Sequence, residues 1–210
     1  MTLNILDPAH NDAQIVAQVM AERPDVVLLQ EVTPRRQGLL DRLSGAYPWQ
    51  ASCVGQGRCD VAILSRHPWA KAEAGHLGVA YGKLALAQLG PDFGNIVLGS
   101  VHIGWPLVSD QPAQLQAITN KLGTVRGPTL LAGDFNAAPW AAALRGFVAN
   151  AHLRSAGGYT PTWPRRNFRT GAPCRICMPQ LQIDHVLISP HIRVVAVRTG
   201  RDVGSDHLPL

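Results

Sequence analysis

The sequence has no run of eighteen or more apolar residues, so it predicts no membrane-crossing helix. It does not open on the basic, apolar and small-residue succession of a secretory signal. Neither GxGxxG nor GxxxxGK(S/T) occurs, which excludes the two common glycine-rich phosphate loops. No internal repeat, low-complexity tract or linker-like stretch is present. Charged residues make up only 16% of the chain against 46% hydrophobic ones, which excludes a disordered polyelectrolyte. Acidic residues are the scarcer sign, 14 against 19 basic, for a formal net charge of +5. That excess favours an anionic partner: nucleic acid, a phosphorylated small molecule or an anionic membrane surface.

What is there suits a globular protein. At 210 residues the default is one domain over 1–210, with ample chain for a large core. The chain is expected to be a monomer. Sixteen prolines and twenty glycines announce many turns. Residues 1–4 enter at once what reads as the end of a strand, and SDHLPL at 205–210 stops on an unfinished apolar run. The expectation is an excised domain with truncated terminal strands, its anchor upstream in a membrane-anchored parent.

Periodicity predicts helices over 11–22, with Asn11 as cap and Ile15, Val16, Val19 and Met20 inward, and over 35–43, with Leu39, Leu40 and Leu43 inward. Further helices are predicted over 111–125 and 140–148. Strands are predicted over 25–32, 61–65, 96–102, 129–135, 183–189 and 192–197, with 83–89 as an exposed strand. Several strands follow one another without a helix between. That argues for an α/β layered sandwich with mixed sheets over a doubly wound parallel sheet.

The strand TLLA runs into Gly133-Asp134-Phe135-Asn136. Alone, these four residues read as a polar turn. They are not alone. Strand ends also carry Asn4, Glu31, His102 and Asp184 with His185, and Ser205-Asp206-His207 closes the chain. Six such clusters drawn from Asn, Asp, Glu and His suggest one shared site at a sheet edge. Carboxylates hold a hard cation, a histidine stabilises phosphate charge or moves a proton, and an Asp–His pair fixes the tautomer.

LQE (29–31), AILSRHP (62–68), SVH (100–102), GDFN (133–136), IDHVLIS (183–189) and SDHLPL (205–210), in this order and spacing, resemble the endonuclease/exonuclease/phosphatase superfamily. The resemblance covers nearly the whole chain. It implies a DNase I-like four-layer α/β/β/α sandwich with two mixed β-sheets. It also implies Mg²⁺- or Mn²⁺-dependent hydrolysis of phosphate esters, with Asn4, Glu31 and Asp206 at the metal. His102 is implied at the scissile phosphate, Asp134 as the residue that orients or deprotonates water, and Asn136 as holding the phosphate or steadying Asp134. Asp184 is implied to pair with His207. His185 points to the other face of its strand by the two-residue period and reads as structural. Thr162-Trp163-Pro164 resembles a bacterial branch whose members often follow N-terminal membrane helices, which would place the domain on the periplasmic face.

The residues leave the substrate open. Arg165, Arg166, Arg169 and Arg175 interleave with Tyr159, Trp163 and Phe168 in a long loop, a mixture suited to DNA or RNA, a sugar phosphate or a lipid headgroup. A nuclease-like phosphodiesterase leads. A phosphomonoesterase or phospholipid or inositol-phosphate esterase follows, and a non-catalytic module with the same fold is the third reading. Arg35 and Arg36 read as solvated, and Trp105 either lines the cleft or caps the core. Cys53/Cys59 and Cys174/Cys177 are either four free thiols or form two local disulfides or one between the regions; the disulfide reading, preferred here, places the domain outside the reducing cytosol.

Overall fold

The computed structural model describes residues 1–6, 11–55, 59–78, 83–164 and 180–210. In chain order the elements are β1 (Thr2–Asn4), α1 (Asp12–Glu22), β2 (Val26–Gln30), α2 (Gln37–Leu43), β3 (Trp49–Ser52), β4 (Val61–Ser65), β5 (Trp69–His76), β6 (Lys83–Leu89), β7 (Val97–His102), α3 (Gln111–Leu122), β8 (Thr129–Asp134), α4 (Ala142–Asn150), β9 (Arg154–Ser155) and β10 (Asp184–Ile188). Two mixed sheets result. One has the order β1-β2-β4-β3, with β1 and β2 parallel. The other has the order β5-β6-β7-β8-β10-β9, with β7 and β8 parallel.

The layers follow from the two-residue period of the strands. On one face of the first sheet Leu3, Val27, Leu29, Ala62 and Leu64 pack with Ile15 and Val19 of α1 and Leu39, Leu40 and Leu43 of α2. On the outer face of the second, Leu84, Leu86, Val101 and Leu131 pack with Leu115 and Ile118 of α3 and Leu144 and Phe147 of α4. Between the sheets lie Leu28, Val61 and Ile63 on one side and Ala85, Ala87 and Ala132 on the other. The order is helices, sheet, sheet, helices: the four-layer sandwich expected from the sequence.

A polar bridge joins the sheets inside this apolar layer. Gln30 Nε2 donates to Ser100 Oγ at 2.9 Å, and Ser100 Oγ donates to Leu29 O at 3.0 Å. Both side chains are buried, and pairing them avoids the cost of stranding either.

Several local expectations are corrected. β6 is an interior strand, not an exposed one. Its alternation in KLALAQL is of large against small residues, Leu toward α3 and Ala toward the other sheet, so both faces are buried. Residues 192–197 form no strand. β9 occupies the edge of β10 beside Leu187 and Ile188, and the Ile192 carbonyl accepts from Arg154 Nη2 instead of a ladder partner. Met20 lies on the solvent side of α1, where Gln18 takes the buried place. Asn11 does not cap α1 with its side chain; its Oδ1 accepts from Arg36 Nη2 at 2.6 Å. Arg36 is therefore buried, pairing also with Asp12 at 3.0 Å, and not solvated. β3, β5 and β9 were not predicted, being edge or short strands poor in β-branched residues.

Gly133 is required by close approach. It has φ +149, and a Cβ there would sit 2.0 Å from the Val101 carbonyl oxygen of the neighbouring strand. Gly146, inside α4, has open space around it. Gly133→Ala is expected to lose about 2–4 kcal/mol of stability. Gly146→Ala is expected to gain roughly 0.5–1 kcal/mol by restricting the unfolded chain and favouring the helix. Urea unfolding midpoints of the two variants check both signs.

Candidate active site

Strand direction gathers the polar residues. β1 and β2 are parallel, so Asn4 and Glu31 leave the first sheet at the same end. β7 and β8 are parallel too, and their register pairs His102 with Asp134. β6 and β10 run the other way, so their starts arrive at that end: Lys83 pairs with His102, and Asp184 with Asp134. Lys83, His102, Asp134 and Asp184 thus form a row across four adjacent strands. All face inward, in phase with Ala85, Ser100 and Ala132. β4 is antiparallel to β2, which brings Asp60 to the same place from just before Val61.

The row is closed from the first sheet. Asn4 Nδ2 donates to Glu31 Oε1 at 3.0 Å and to Asp134 Oδ2 at 3.1 Å. Its Oδ1 accepts from the Leu6 backbone N–H at 3.0 Å, which fixes the orientation of the amide. The C-terminal segment is tied to the same residue: Ser205 Oγ donates to Asn4 O at 2.7 Å. Glu31 and Asn136 both hold left-handed backbone, φ +62 and +46. Non-glycine residues seldom adopt it, and such conformations cluster at functional sites.

Asp134 is buried. Its Oδ1 accepts from the Asn136 backbone N–H at 2.8 Å, and Asn136 Nδ2 spans Ile103 O at 2.8 Å and Asp134 Oδ2 at 3.3 Å. Burial pushes the Asp134 pKa up to about 6; the His207 cation opposes the rise and Asp184 adds to it.

Two histidine–carboxylate pairs flank Asp134. Asp184 Oδ2 meets His207 Nδ1 at 2.8 Å and accepts from Thr162 Oγ1 at 2.5 Å. His207 Nε2 then faces Asp134 Oδ2 at 3.8 Å and Asp206 Oδ1 at 3.9 Å. Burial alone would lower the His207 pKa, but Asp184, Asp134 and Asp206 together hold it up at about 10. The second pair is His102 Nδ1 with Asp60 Oδ1 at 3.0 Å, while Lys83 Nζ donates to Asp60 Oδ2 at 2.5 Å. Burial alone would lower the His102 pKa; Asp60 raises it above the ordinary value and Lys83 opposes that rise. Asp60 is held low by His102 and Lys83 against its own burial.

Every residue expected at the site from the sequence reaches this end of the sheets: Asn4, Glu31, His102, Asp134, Asn136, Asp184, Asp206 and His207. His185 lies on the opposite face of β10. Its Nε2 meets Ala137 O at 2.7 Å, and burial lowers its pKa, so it is a neutral packing residue. Arg66 follows β4 at the far end, where its N–H donates to Asp25 O. Asp60, Lys83 and Thr162 also stand at the site, and Trp163, a substrate-loop residue on the sequence reading, holds Asp206 there. The signal for Asp60 and Lys83 is a polar residue at the start of an antiparallel strand, which shares an end with its neighbours' termini. Arg165, Arg166, Phe168, Arg169, Cys174, Arg175 and Cys177 lie outside the described residues. Cys53 and Cys59 form a disulfide with Cα atoms 5.4 Å apart, directly before Asp60.

The donor set fits a hard cation. Asp184 Oδ1 and Asp206 Oδ1 are buried with no hydrogen-bond donor among the described residues. Glu31 stands beside Asn4, and carboxylate and amide oxygens suit Mg²⁺ or Mn²⁺. Asp134, Asp184 and His207 also offer ligand atoms within 4.8 Å of one another. The direct Asp184–His207 hydrogen bond fixes the orientation of the His207 ring.

A family model described as the Endonuclease/Exonuclease/phosphatase family matches residues 1–207. The chain belongs to the endonuclease/exonuclease/phosphatase family. Members of this family hydrolyse phosphate esters. No curated protein matches the sequence. Among solved structures, the endonuclease/exonuclease/phosphatase from Beutenbergia cavernae is 25% identical, with TM-score 0.73 over 99% of this chain and 68% of that one. Sphingomyelinase C from Streptomyces griseocarneus is 20% identical, with TM-score 0.71 over 95% and 89%. A beta toxin mutant from Staphylococcus aureus with bound magnesium ions is 16% identical, with TM-score 0.71 over 99% and 96%. These last two likenesses establish a shared fold.

The His102 pair gives a pH test with opposite signs. Asp60→Asn removes the anion that raises the His102 pKa, so that pKa falls. Lys83→Met removes the opposing cation, so it rises. Titration of the His102 ring followed by NMR checks both directions.

Proposed function

We propose that this chain is a metal-dependent phosphodiesterase. The observation that carries the reading is the placement of Asp134 between two histidine–carboxylate pairs. Asp134 orients a water and accepts its proton. Asn136 holds that carboxylate through both its backbone N–H and its side-chain Nδ2. His207 is locked by Asp184 at Nδ1, so its Nε2 faces the reacting phosphate and stabilises charge there. His102 is locked by Asp60 in the same way, leaving Nε2 for a phosphoryl oxygen. Thr162 and Trp163 hold Asp184 and Asp206; Trp163 Nε1 donates to Asp206 Oδ2 at 3.0 Å.

Glu31 and Asp206 are the residues that would hold the cation, with Asn4 orienting Glu31 and keeping one Oδ1 lone pair for it. When bound, Mg²⁺ or Mn²⁺ supplies charge neutralisation at the phosphoryl oxygens and the leaving group. The remaining effect comes from donors and charges already in place around the phosphate, so little reorganisation accompanies the reaction.

Within this class, net charge +5 and the arginine-rich sequence after Trp163 support a nuclease-like activity on DNA or RNA. A second reading, hydrolysis of a phospholipid headgroup, is favoured by one specific observation: an exposed apolar loop beside the site.

Assay with Mg²⁺ against plasmid DNA, abasic duplex, RNA, inositol phosphates, sphingomyelin and bis-p-nitrophenyl phosphate tests the class. Metal-dependent turnover of a diester is expected, with Asp134→Ala and His207→Ala each losing on the order of 10³-fold or more while keeping the fold. Unchanged turnover in either variant overturns their assignment. Activity that survives EDTA and does not respond to added Mg²⁺ or Mn²⁺ overturns the metal dependence.

A further inference from the structure

The chain leaves β7 after His102 into a loop whose tip is Trp105-Pro106-Leu107-Val108. Leu107 is 85% exposed, Val108 71% and Trp105 48%. Three large apolar side chains displayed together in one short loop are unusual on a soluble surface and mark a contact site.

The base of this loop is held firmly. Gln111 Nε2 donates to Gly104 O at 2.9 Å and also to Phe135 O and Asn136 O. Gly104 N donates to Gln114 Oε1 at 2.9 Å. Within the loop, Ser109 Oγ donates to Trp105 O at 2.7 Å and Val108 N to the same carbonyl at 3.2 Å. Its position is set as well. Trp105 packs edge-on against Trp163 at 6.0 Å, and Trp163 is the residue whose indole donates to Asp206. The apolar tip therefore stands on the lip of the candidate active site, one ring away from Asp206 and His207. Trp140, four residues after Asn136, and Tyr159 form an exposed aromatic pair with centroids 5.8 Å apart.

We propose that the 105–108 loop docks this protein on a phospholipid bilayer, inserting Leu107 and Val108 so that the phosphodiester of a lipid headgroup enters the adjacent site. The inference rests on the phosphodiesterase reading above. Four considerations select the bilayer. A protein seated on this tip would stand over the mouth of the site, whereas a bilayer brings its phosphodiesters with it. Nucleic acid is gripped by rings and cations, and offers little to exposed Leu and Val. A bilayer takes aliphatic side chains into its acyl region and places Trp rings at headgroup depth. Net charge +5 complements an anionic lipid surface.

The test is co-flotation of the purified chain with vesicles of phosphatidylcholine containing a minor share of phosphatidylserine. It is run beside retention on single-stranded DNA and turnover of soluble bis-p-nitrophenyl phosphate. The wild type is expected to float with the vesicles. The double variant Leu107→Ser/Val108→Ser, altered only at exposed positions, is expected to bind vesicles about tenfold or more weakly and to hydrolyse the soluble diester as before. Failure of the wild type to bind vesicles, or equal binding by the double variant, overturns the proposal. So does loss of DNA retention, in place of vesicle binding, in the double variant. Loop-dependent vesicle binding with no turnover of any phosphate ester supports the docking surface and overturns the phosphodiesterase reading on which the substrate assignment rests.

Discussion

Asn4 Nδ2 reaches from β1 in one sheet to Asp134 at the end of β8 in the other, and also holds Glu31. That amide can span the junction only because the two sheets lie close together. Ala85, Ala87 and Ala132 line one side of the layer between them, facing Leu28, Val61 and Ile63. Small side chains on the inner face of the larger sheet let the strands approach, and the Gln30–Ser100 bridge pins them in register. At one end the apolar layer runs out, and the next inward-facing residues along the same strands are Asn4, His102, Asp134 and Asp184. The site is the polar continuation of the interface between the sheets. Its rigidity is inherited from the core, which is how a constellation of side chains is kept to a productive geometry.

The two histidines illustrate how burial and charge divide the work. Each is buried, and each would lose its proton more readily for that reason. A carboxylate on Nδ1 reverses the effect in both. The pairs differ in what stands behind the carboxylate. Asp184 has the neutral hydroxyl of Thr162, so among the described residues no cation shares the carboxylate with His207. Asp60 has Lys83, which shares the same anion and tempers His102. The result is two imidazoles of different electrostatic character on either side of one carboxylate, Asp134.

Much of this was legible in the chain because strand ends announce themselves. An apolar run that stops at Asp134, Glu31 or His102 is a local pattern, and six such patterns in one chain point to convergence. The inward faces of α1 and α2 were equally plain, since Ile15, Val19, Leu39, Leu40 and Leu43 recur at helical spacing. Other features were hidden for identifiable reasons. Lys83 and Asp60 sit at strand starts, and a start reaches the site only if its strand is antiparallel to its neighbours. KLALAQL alternates in size, not polarity, so its double burial is invisible to a polar–apolar reading. Arg36 follows another arginine in a helix-opening PRR, and nothing local tells that Asn11 and Asp12 wait for it across the fold.

The sequence by itself determined the residue types, their order and the strands and helices with a clear period, and these sufficed to indicate the sandwich and the chemical class. Tertiary structure decided which carboxylate holds which histidine, that Asn4 spans the two sheets, and that Trp105 packs on Trp163 and so brings an apolar loop to the lip of the site. The physical reason is separation along the chain. Period and capping are settled among near neighbours. A pairing such as Asp184 with His207, or Asn4 with Asp134, exists only once strand order, direction and register bring distant residues within hydrogen-bonding distance.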